Sequence, residues 1–393
     1  MRVRTAVGSM PMPAWGSGGG VVMASTANAV PAARRGCRVV TTSLTARLLL
    51  ANQLRSLGEI EWTVVSGDAF DDPPETVEVE VIPIRREFAL SDAVSFARLW
   101  SYLRRQRFDF VQTHTPKASF LGLPAARLAG STAIYTIHGS LYFAGNSGRA
   151  NALGWCFERW CCLWAHRVLV QSREDQEVLP KVGICGRRKL SYLGNGIMMD
   201  RFVTSVSPAL RSDRPIVLMV SRLVREKGCA DFLALAESLE GRADFVHVGP
   251  VEHDQSDALS QAEIDEASDA GRVTFVGSVD DVRPYLASAT VVVLPSYREG
   301  IPRAAMEAAA MGRPVAAYDI RGVREVIDPR SGLLVPRGDR RALGDLVEEL
   351  VKDPTRCAEL GDRCRQWVVA RFSEDLVVDR LRTLYSSITE QAA

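Results

Sequence analysis

The sequence predicts an α/β protein made of two doubly wound parallel sheets, and three observations carry that reading. Short apolar runs alternate with amphipathic helical stretches from Cys37 onward. The alternation stops at VTSVSPALRSDR (203–214), a connector with Pro and Ser and no clear periodicity, and resumes at Pro215. In the first block CRVVTTS, IEWTVVSG, VEVEVIPI, FDFVQTH, AIYTIHG, RVLVQS and KLSYLGNG read as strands. Between them LTARLLLANQLRSL, the segment around SDAVSFARLWSYLRRQ and the long stretch from Asn151 to Ala165 read as helices. The second block supplies IVLMVS, FVHVGP, VTFVGS, TVVVLPS, PVAAYD and GLLVP, each followed by a helix or turn, and ends on the helix SEDLVVDRLRTLYSSI.

Length and composition agree. A chain of 393 residues with 47% hydrophobic content has room for two or three packed domains. Its 48 Lys and Arg against 47 Asp and Glu leave a net charge of +1, so nucleic acid is not expected as a partner. Eight cysteines lack metal-like spacing and form no C-x-x-C pair, which points to free thiols in a reducing compartment. No apolar run is long enough to span a bilayer. The first 36 residues are rich in Gly, Ala, Ser and Pro, carry Arg2, Arg4, Arg34 and Arg35, and have no acidic residue, as none occurs before Glu59. A disordered extension is expected there, arising from an over-long start with Met23 as the real initiator. VVMASTANAV is too short and too interrupted for a signal peptide.

The chemistry concentrates at strand ends. Glu299 and Glu307 stand eight positions apart in YREGIPRAAMEAAAMGRPV (297–315), directly after the apolar run ATVVVLPS. A buried strand opening through a Gly/Pro turn into a helix gathers backbone N–H groups and two carboxylates at the strand's C-terminal end, where an α/β sheet binds its ligand. Eight residues is a little over two helical turns, so both carboxylates can face one way without touching. Such a pair suits a ligand rich in hydroxyls, such as a sugar and a ribose. Taken alone, the spacing equally fits an amphipathic helix with solvated glutamates. SRLVREKG (221–228) changes the balance by placing Arg222 and Lys227 in a second strand-to-helix loop, where cations neutralise a diphosphate.

SRLVREKG, the segment from VTFVGS to REVI (273–327) and SGLLVPRGD (331–339) resemble the C-terminal half of glycosyltransferase family 4, the retaining, nucleotide-sugar-dependent enzymes of the GT-B fold. FDFVQTHTPKASFLGLPAARLAG (108–130), IYTIHG (134–139) and LGNGIMMDRF (193–202) are similar to the subgroup that builds bacterial capsule and O-antigen sugars. The likeness runs in order from about residue 37 to the end. It implies two Rossmann-like domains facing across a cleft. Residues 37–205 would form the acceptor-binding domain, residues 206–370 the nucleotide-sugar-binding domain, and residues 371–393 a helix crossing back to the first, with residues 1–36 as the extension.

The resemblance also assigns roles. Glu307 is expected on the ribose hydroxyls and Glu299 on hydroxyls of the transferred sugar, with the backbone of Gly300, Ile301 and Pro302 at the sugar and phosphates. Arg222 and Lys227 match the cations on the diphosphate, and backbone near Phe275, Val276 and Gly277 would edge the base. His138, which ends a strand before Gly139, is expected beside the reaction centre and is paired with Glu299 as the catalytic set. His114 ends the preceding strand on the same edge, and Lys117 is expected to meet an acceptor phosphate. No Asp-x-Asp metal site is present, so diphosphate charge falls to Arg222 and Lys227 with helix N-termini. No cofactor is implied, the nucleotide sugar being the co-substrate. No free carboxylate is evident for a covalent intermediate, which favours front-face substitution.

Some positions depart from the family pattern. TTSLTARL lacks the paired glycines that many relatives place beside the donor phosphates, leaving Ser43 or Thr45 for that contact. Met198 replaces an Asp, Ser221 a Gly, and VGPVEHD (248–254) lacks the common Gly-x-Gly.

The expected donor is UDP-linked, and the expected acceptor a lipid-linked saccharide or cell-envelope intermediate. The alternatives are a soluble small-molecule acceptor such as an antibiotic core, an epimerase on the same two-domain fold, and a non-catalytic nucleotide-sugar-binding protein. Trp155, Trp160 and Trp164 with Phe157 and Leu163 enrich one helix, and Arg104, Arg105 and Arg107 lie near another. These residues read either as a packed core helix beside a solvated basic one or as a peripheral contact of a cytoplasmic protein with the inner face of the plasma membrane.

Overall fold

The computed structural model describes residues 34–390 apart from 71–72, 86, 144–146 and 253–256. Residues 1–33, with Met23 and most of the expected extension, lie outside the described residues. The extension was expected to reach residue 36, but Arg34–Gly36 instead open the first strand. Its physical reason is local. Gly36 lies against the rings of Trp62 and Phe110, where a Cβ would come within 2.7 and 2.8 Å of them, and the backbone N–H of Arg35 donates to Asp109 at 2.8 Å. Small, basic composition thus hides a strand that needs its glycine to fit.

The first sheet comprises β1 (Arg34–Val39), β2 (Ile60–Ser66), β3 (Val77–Val81), β4 (Phe110–Thr113), β5 (Thr132–Ile137), β6 (Arg167–Val170) and β7 (Leu190–Tyr192). All pair in parallel, in the order β3-β2-β1-β4-β5-β6-β7. The second sheet comprises β8 (Ile216–Val220), β9 (Asp244–Val248), β10 (Val273–Gly277), β11 (Val291–Leu294), β12 (Val315–Tyr318) and β13 (Leu334–Val335), in the order β10-β9-β8-β11-β12-β13, again all parallel. Each order reverses once, between β1 and β4 and between β8 and β11. Loops leave these reversal points in opposite directions and open a crevice beyond the strands' C-terminal ends. Arg222 and Lys227 follow β8, Glu299 follows β11 and His114 follows β4, so three of the chemical loops occupy the two crevices.

Among the described residues three buried cores hold this frame. The second lobe has its own core, which Ile197, Phe202 and Leu210 of the incoming chain already join. One face of the first sheet packs on the helices around Leu99, Leu123 and Cys161. The other face receives the C-terminal helix Glu374–Glu390 through Val377, Val378, Leu381, Tyr385 and Ile388, which sit against Leu50, Leu54, Trp62 and Phe110. Tyr385 stacks on Phe110 with ring centroids 4.4 Å apart. Beneath it Arg38 of β1 is fully buried, donating to Gln53 Oε1 at 2.9 Å and lying 4.7 Å over the Trp62 ring. A bridge between Ile197 and Ser373 lies where the chain enters and leaves the second lobe.

Candidate active site between the lobes

The second lobe builds its share from two strand-end loops fused by glycine. Gly228 has φ 77°, and a Cβ there would lie 1.9 Å from the Pro295 carbonyl oxygen, so only glycine lets the loop after β8 lie on the loop after β11. That contact brings Lys227 Nζ to 2.8 Å from Glu299 Oε1, which also accepts from Ser296 Oγ at 2.8 Å. Glu299 is 10% exposed and Lys227 19%, so the pair faces the crevice without being sealed from it. Below them Asp231 is buried and accepts from Tyr297 at 2.6 Å, Tyr318 at 2.7 Å and Arg340 at 2.7 Å, which pins the turn that carries Glu299. Arg222 reaches Glu252 at 2.8 Å.

The helix Arg303–Ala310 starts directly after Pro302 and turns its N-terminus toward the same point. Glu307 lies on it, with Arg303 at 3.1 Å; burial pushes the carboxyl up and Arg303 opposes the shift. Val276 and Gly277 end β10. Gly277 has φ 82°, its carbonyl accepts from the Gly249 N–H at 2.8 Å, and a Cβ on Gly249 would strike Ser221. The loops expected at base and diphosphate are therefore joined backbone to backbone.

The first lobe contributes two histidines. His114 Nδ1 and His138 Nε2 are 3.2 Å apart, so one ring donates and the other accepts. Burial pushes His138 down to about 4, with a hydrogen bond to Gln171 opposing and Arg38 adding to the fall. Burial, Arg38 and His138 hold His114 well below the usual range. Both rings are neutral near pH 7. His138 also marks where the lobes touch: a Cβ on Gly300 would lie 2.1 Å from the His138 carbonyl oxygen and 3.5 Å from Gly139 Cα. Gly300 in turn lies on Gly322, whose Cβ would be 1.5 Å from the Gly300 carbonyl oxygen.

The structure thus brings Lys227, Glu299, Gly300 and the backbone of His138 together, with Ile301 and Pro302 leading into the helix that carries Glu307, and Val276 and Gly277 at the end of β10, two strands from β8. Lys117 is not brought to this point. It is 4% exposed, donates to Asp92 Oδ2 at 2.5 Å and to the Glu87 carbonyl at 2.6 Å, and lies 4.0 Å over the Phe88 ring. A buried ammonium so satisfied is a structural ion pair, in place of the phosphate contact expected of it. Thr45 Oγ1 is 2.9 Å from Thr42 Oγ1, and both the N–H and the hydroxyl of Ser43 bond Asp68, so each of the two expected hydroxyls already has a partner within its own lobe. Sequence reasoning missed the interlobe residues Arg321, Glu325 and Asp175. Arg321 and Glu325 fall inside the stretch quoted for the resemblance, while Asp175 carries no local signal.

Glu158 supports the His138 side. It is buried on the helix Gly148–Trp164 and accepts from the Leu141 N–H at 3.0 Å and the Tyr135 hydroxyl at 2.8 Å. Burial pushes its carboxyl up from an ordinary 4.5 to about 7. The native state then holds this proton more tightly than the unfolded chain, so the stabilisation is present below pH 4.5 and is lost as pH rises through about 7. Glu158→Gln, which keeps an oxygen for Leu141, is expected to gain melting temperature relative to wild type between pH 5 and pH 8. An identical difference at both values contradicts this.

Two parallel doubly wound lobes, with a Lys–Glu pair at the switch point of one and a neutral histidine pair at strand ends of the other, have the architecture of the GT-B class. Residues 48–201 match the family described as Glycosyltransferase Family 4, and residues 214–353 match the one described as Glycosyl transferases group 1. The chain is 25% identical over 346 residues to the UDP-Gal:alpha-D-GlcNAc-diphosphoundecaprenol alpha-1,3-galactosyltransferase of Escherichia coli, covering 81% of this chain and 86% of that one. Its fold is similar to sucrose-phosphate synthase from Thermosynechococcus elongatus, with a TM-score of 0.77 at 20% identity over 91% of this chain and 100% of that one. It is also similar to Anabaena HepE in complex with UDP-glucose, with a TM-score of 0.75 at 17% identity over 90% and 99%. The chain belongs to glycosyltransferase family 4, and it transfers a sugar from a nucleotide-sugar donor.

Proposed function

We propose that the protein moves a sugar, with retention, from a UDP-linked donor to a lipid-linked saccharide or cell-envelope polysaccharide intermediate. The observation that carries this is the Lys227–Glu299 pair held by Gly300 against His138. One carboxylate suited to sugar hydroxyls lies 2.8 Å from a cation suited to a diphosphate, so a single ligand that has both groups satisfies both residues. Arg222 and the N-terminus of the helix Arg303–Ala310 share the diphosphate charge, and Glu307 takes the ribose. Glu299 is already engaged by Lys227 and Ser296, which suits it to hold hydroxyls rather than attack carbon. In the reaction the bond from the anomeric carbon to the phosphate oxygen breaks, the acceptor oxygen bonds to that carbon from the same face, and the acceptor's proton passes to the departing phosphate. Neutral His138 offers a hydrogen bond to the sugar and adds no charge that would oppose an oxocarbenium-like state.

The donor class draws support from the UDP-glucose complex of Anabaena HepE, and the acceptor class from the diphosphoundecaprenol named for the Escherichia coli relative. A donor screen by nucleotide release, with and without extracted polyprenyl-diphosphate saccharides, tests both. UDP release from a UDP-hexose or UDP-N-acetylhexosamine should rise when the lipid acceptor is added. Release that ignores every lipid acceptor and responds to a soluble aminocyclitol would replace this acceptor class with the alternative.

A surface on the first lobe supports a peripheral membrane contact. Among the described residues no helix is long and apolar enough to cross a membrane. An aromatic ladder runs from Phe88 through Phe120 to Trp160 and Trp164, with ring centroids 5.1 to 5.7 Å apart. Leu90 is 99% exposed and Phe88 63%, with Val94, Leu153 and Leu163 also exposed. Arg104 lies over Trp100, and Arg105 bonds Ser101 on the helix Asp92–Gln106 nearby. Exposed apolar side chains flanked by arginines suit an anionic inner leaflet. The protein is expected to co-sediment with phosphatidylglycerol vesicles at low salt, and Phe88→Glu with Leu90→Glu to reduce the bound fraction severalfold. Protein that stays in the supernatant with anionic lipid removes this contact.

A further inference from the structure

Arg321 leaves the second lobe directly after β12 and ends inside the first. Its guanidinium donates to the carbonyl of Ser140 at 2.8 Å, the carbonyl of Tyr142 at 3.0 Å and Asp175 Oδ1 at 3.0 Å. Four residues on, Glu325 Oε1 accepts from the backbone N–H groups of Arg173 at 2.6 Å and Glu174 at 3.3 Å. Those are the first two N–H groups of the helix Arg173–Lys181, so a helix of one lobe is capped by a carboxylate of the other. The turn that Arg321 grips is held from within its own lobe as well: Asp175 accepts from the Ser140 N–H and Glu158 from the Leu141 N–H. It begins two residues after His138. The neighbour of Arg321 in sequence, Gly322, is the residue on which Gly300 rests.

We infer that Arg321 and Glu325 form a positioning clasp that sets His138 against the Glu299–Gly300 turn, so that they govern the transfer step and leave donor affinity alone. The clasp rests on the reading of His138 and Glu299 as the two halves of the reaction centre. Its selectivity follows from where the donor contacts lie. Arg222, Lys227, Gly277 and Glu307 all belong to the second lobe and keep their geometry if the lobes part. His138 does not. Three acceptors arranged around one planar fork suit Arg and leave a single-point ammonium short of partners.

The test uses the full chain with Arg321→Met, Arg321→Lys and Glu325→Gln. UDP affinity is read by calorimetry, turnover by nucleotide release, and lobe separation by the distance distribution between one label on each lobe. Arg321→Met is expected to lose on the order of thirtyfold in kcat, within the range that misplacing reacting groups by about 1 Å costs. Its UDP affinity should stay within about twofold of wild type and its interlobe distances should broaden, while Arg321→Lys recovers part of the turnover. Wild-type kcat and an unchanged distance distribution in both Arg321→Met and Glu325→Gln overturn the clasp. So does a loss of UDP affinity that parallels the loss of kcat, which marks a role in folding of the second lobe. If the distances broaden while His138→Ala turns over like wild type, the clasp stands and the assignment of His138 fails.

Discussion

Lys227→Ala and Glu299→Ala are each expected to lower turnover by on the order of a hundredfold or more, the scale of losing one preorganised charged contact to a transition state. The two side chains are bonded to each other at 2.8 Å inside a crevice, so each also orients the other. Removing Lys227 leaves Glu299 with Ser296 as its donor among the described residues and withdraws a positive charge from the point where the departing diphosphate gains negative charge. Removing Glu299 frees Lys227 to swing and strips the sugar of a hydroxyl acceptor. Because the residues act as one unit, the double variant should lose much less than the product of the two single losses. Glu299→Gln, which keeps a hydrogen-bonding oxygen without the charge, should retain more activity than Glu299→Ala. Steady-state kinetics on the four variants decides the matter, and wild-type turnover in both alanine variants would remove the pair from the mechanism.

Gly300→Ala should be comparably damaging for a different reason. The added methyl would stand 2.1 Å from the His138 carbonyl oxygen, with the Gly300 carbonyl already resting on Gly322. Both obstacles are backbone, so no flexible side chain can yield. Either the lobes stay apart or the Glu299 turn shifts, and in both cases His138 and Glu299 lose their register. Turnover is expected to fall by on the order of a hundredfold. Gly148→Ala serves as the control, since a Cβ there meets nothing within 4 Å. Equal activity in the two variants would show that the contact between Gly300 and His138 is not needed for transfer.

Much of this site is legible in the chain because its parts are local. Glu299, Gly300 and Glu307 lie within one strand, one turn and one helix, and Lys227 within another such unit, so apolar runs followed by Gly, Pro and charge are enough to find them. The alternation of those runs likewise predicts the two parallel sheets, whose strand orders then place the loops at the crevices. What stays hidden depends on partners far away in sequence. Lys117 reads as a ligand-binding cation until Asp92, 25 positions upstream, is folded onto it. Arg321 and Asp175 are 146 positions apart, and only the meeting of two lobes joins them. Tyr385 reaches Arg38 across 347 positions, which makes β1 dependent on the last helix in a way that no window of sequence displays. The start of β1 at Arg34 is missed because a glycine chosen for close packing looks, by composition, like a glycine of a flexible tail.

A crystal soaked with UDP-glucose or UDP-N-acetylglucosamine would reveal whether one ligand spans both lobes at the β8–β11 switch point. Density is expected with the diphosphate at Arg222 and Lys227, the ribose at Glu307 and the hexose between Glu299 and His138. A crevice without ligand at saturating donor, or a nucleotide bound elsewhere on the molecule, would contradict it.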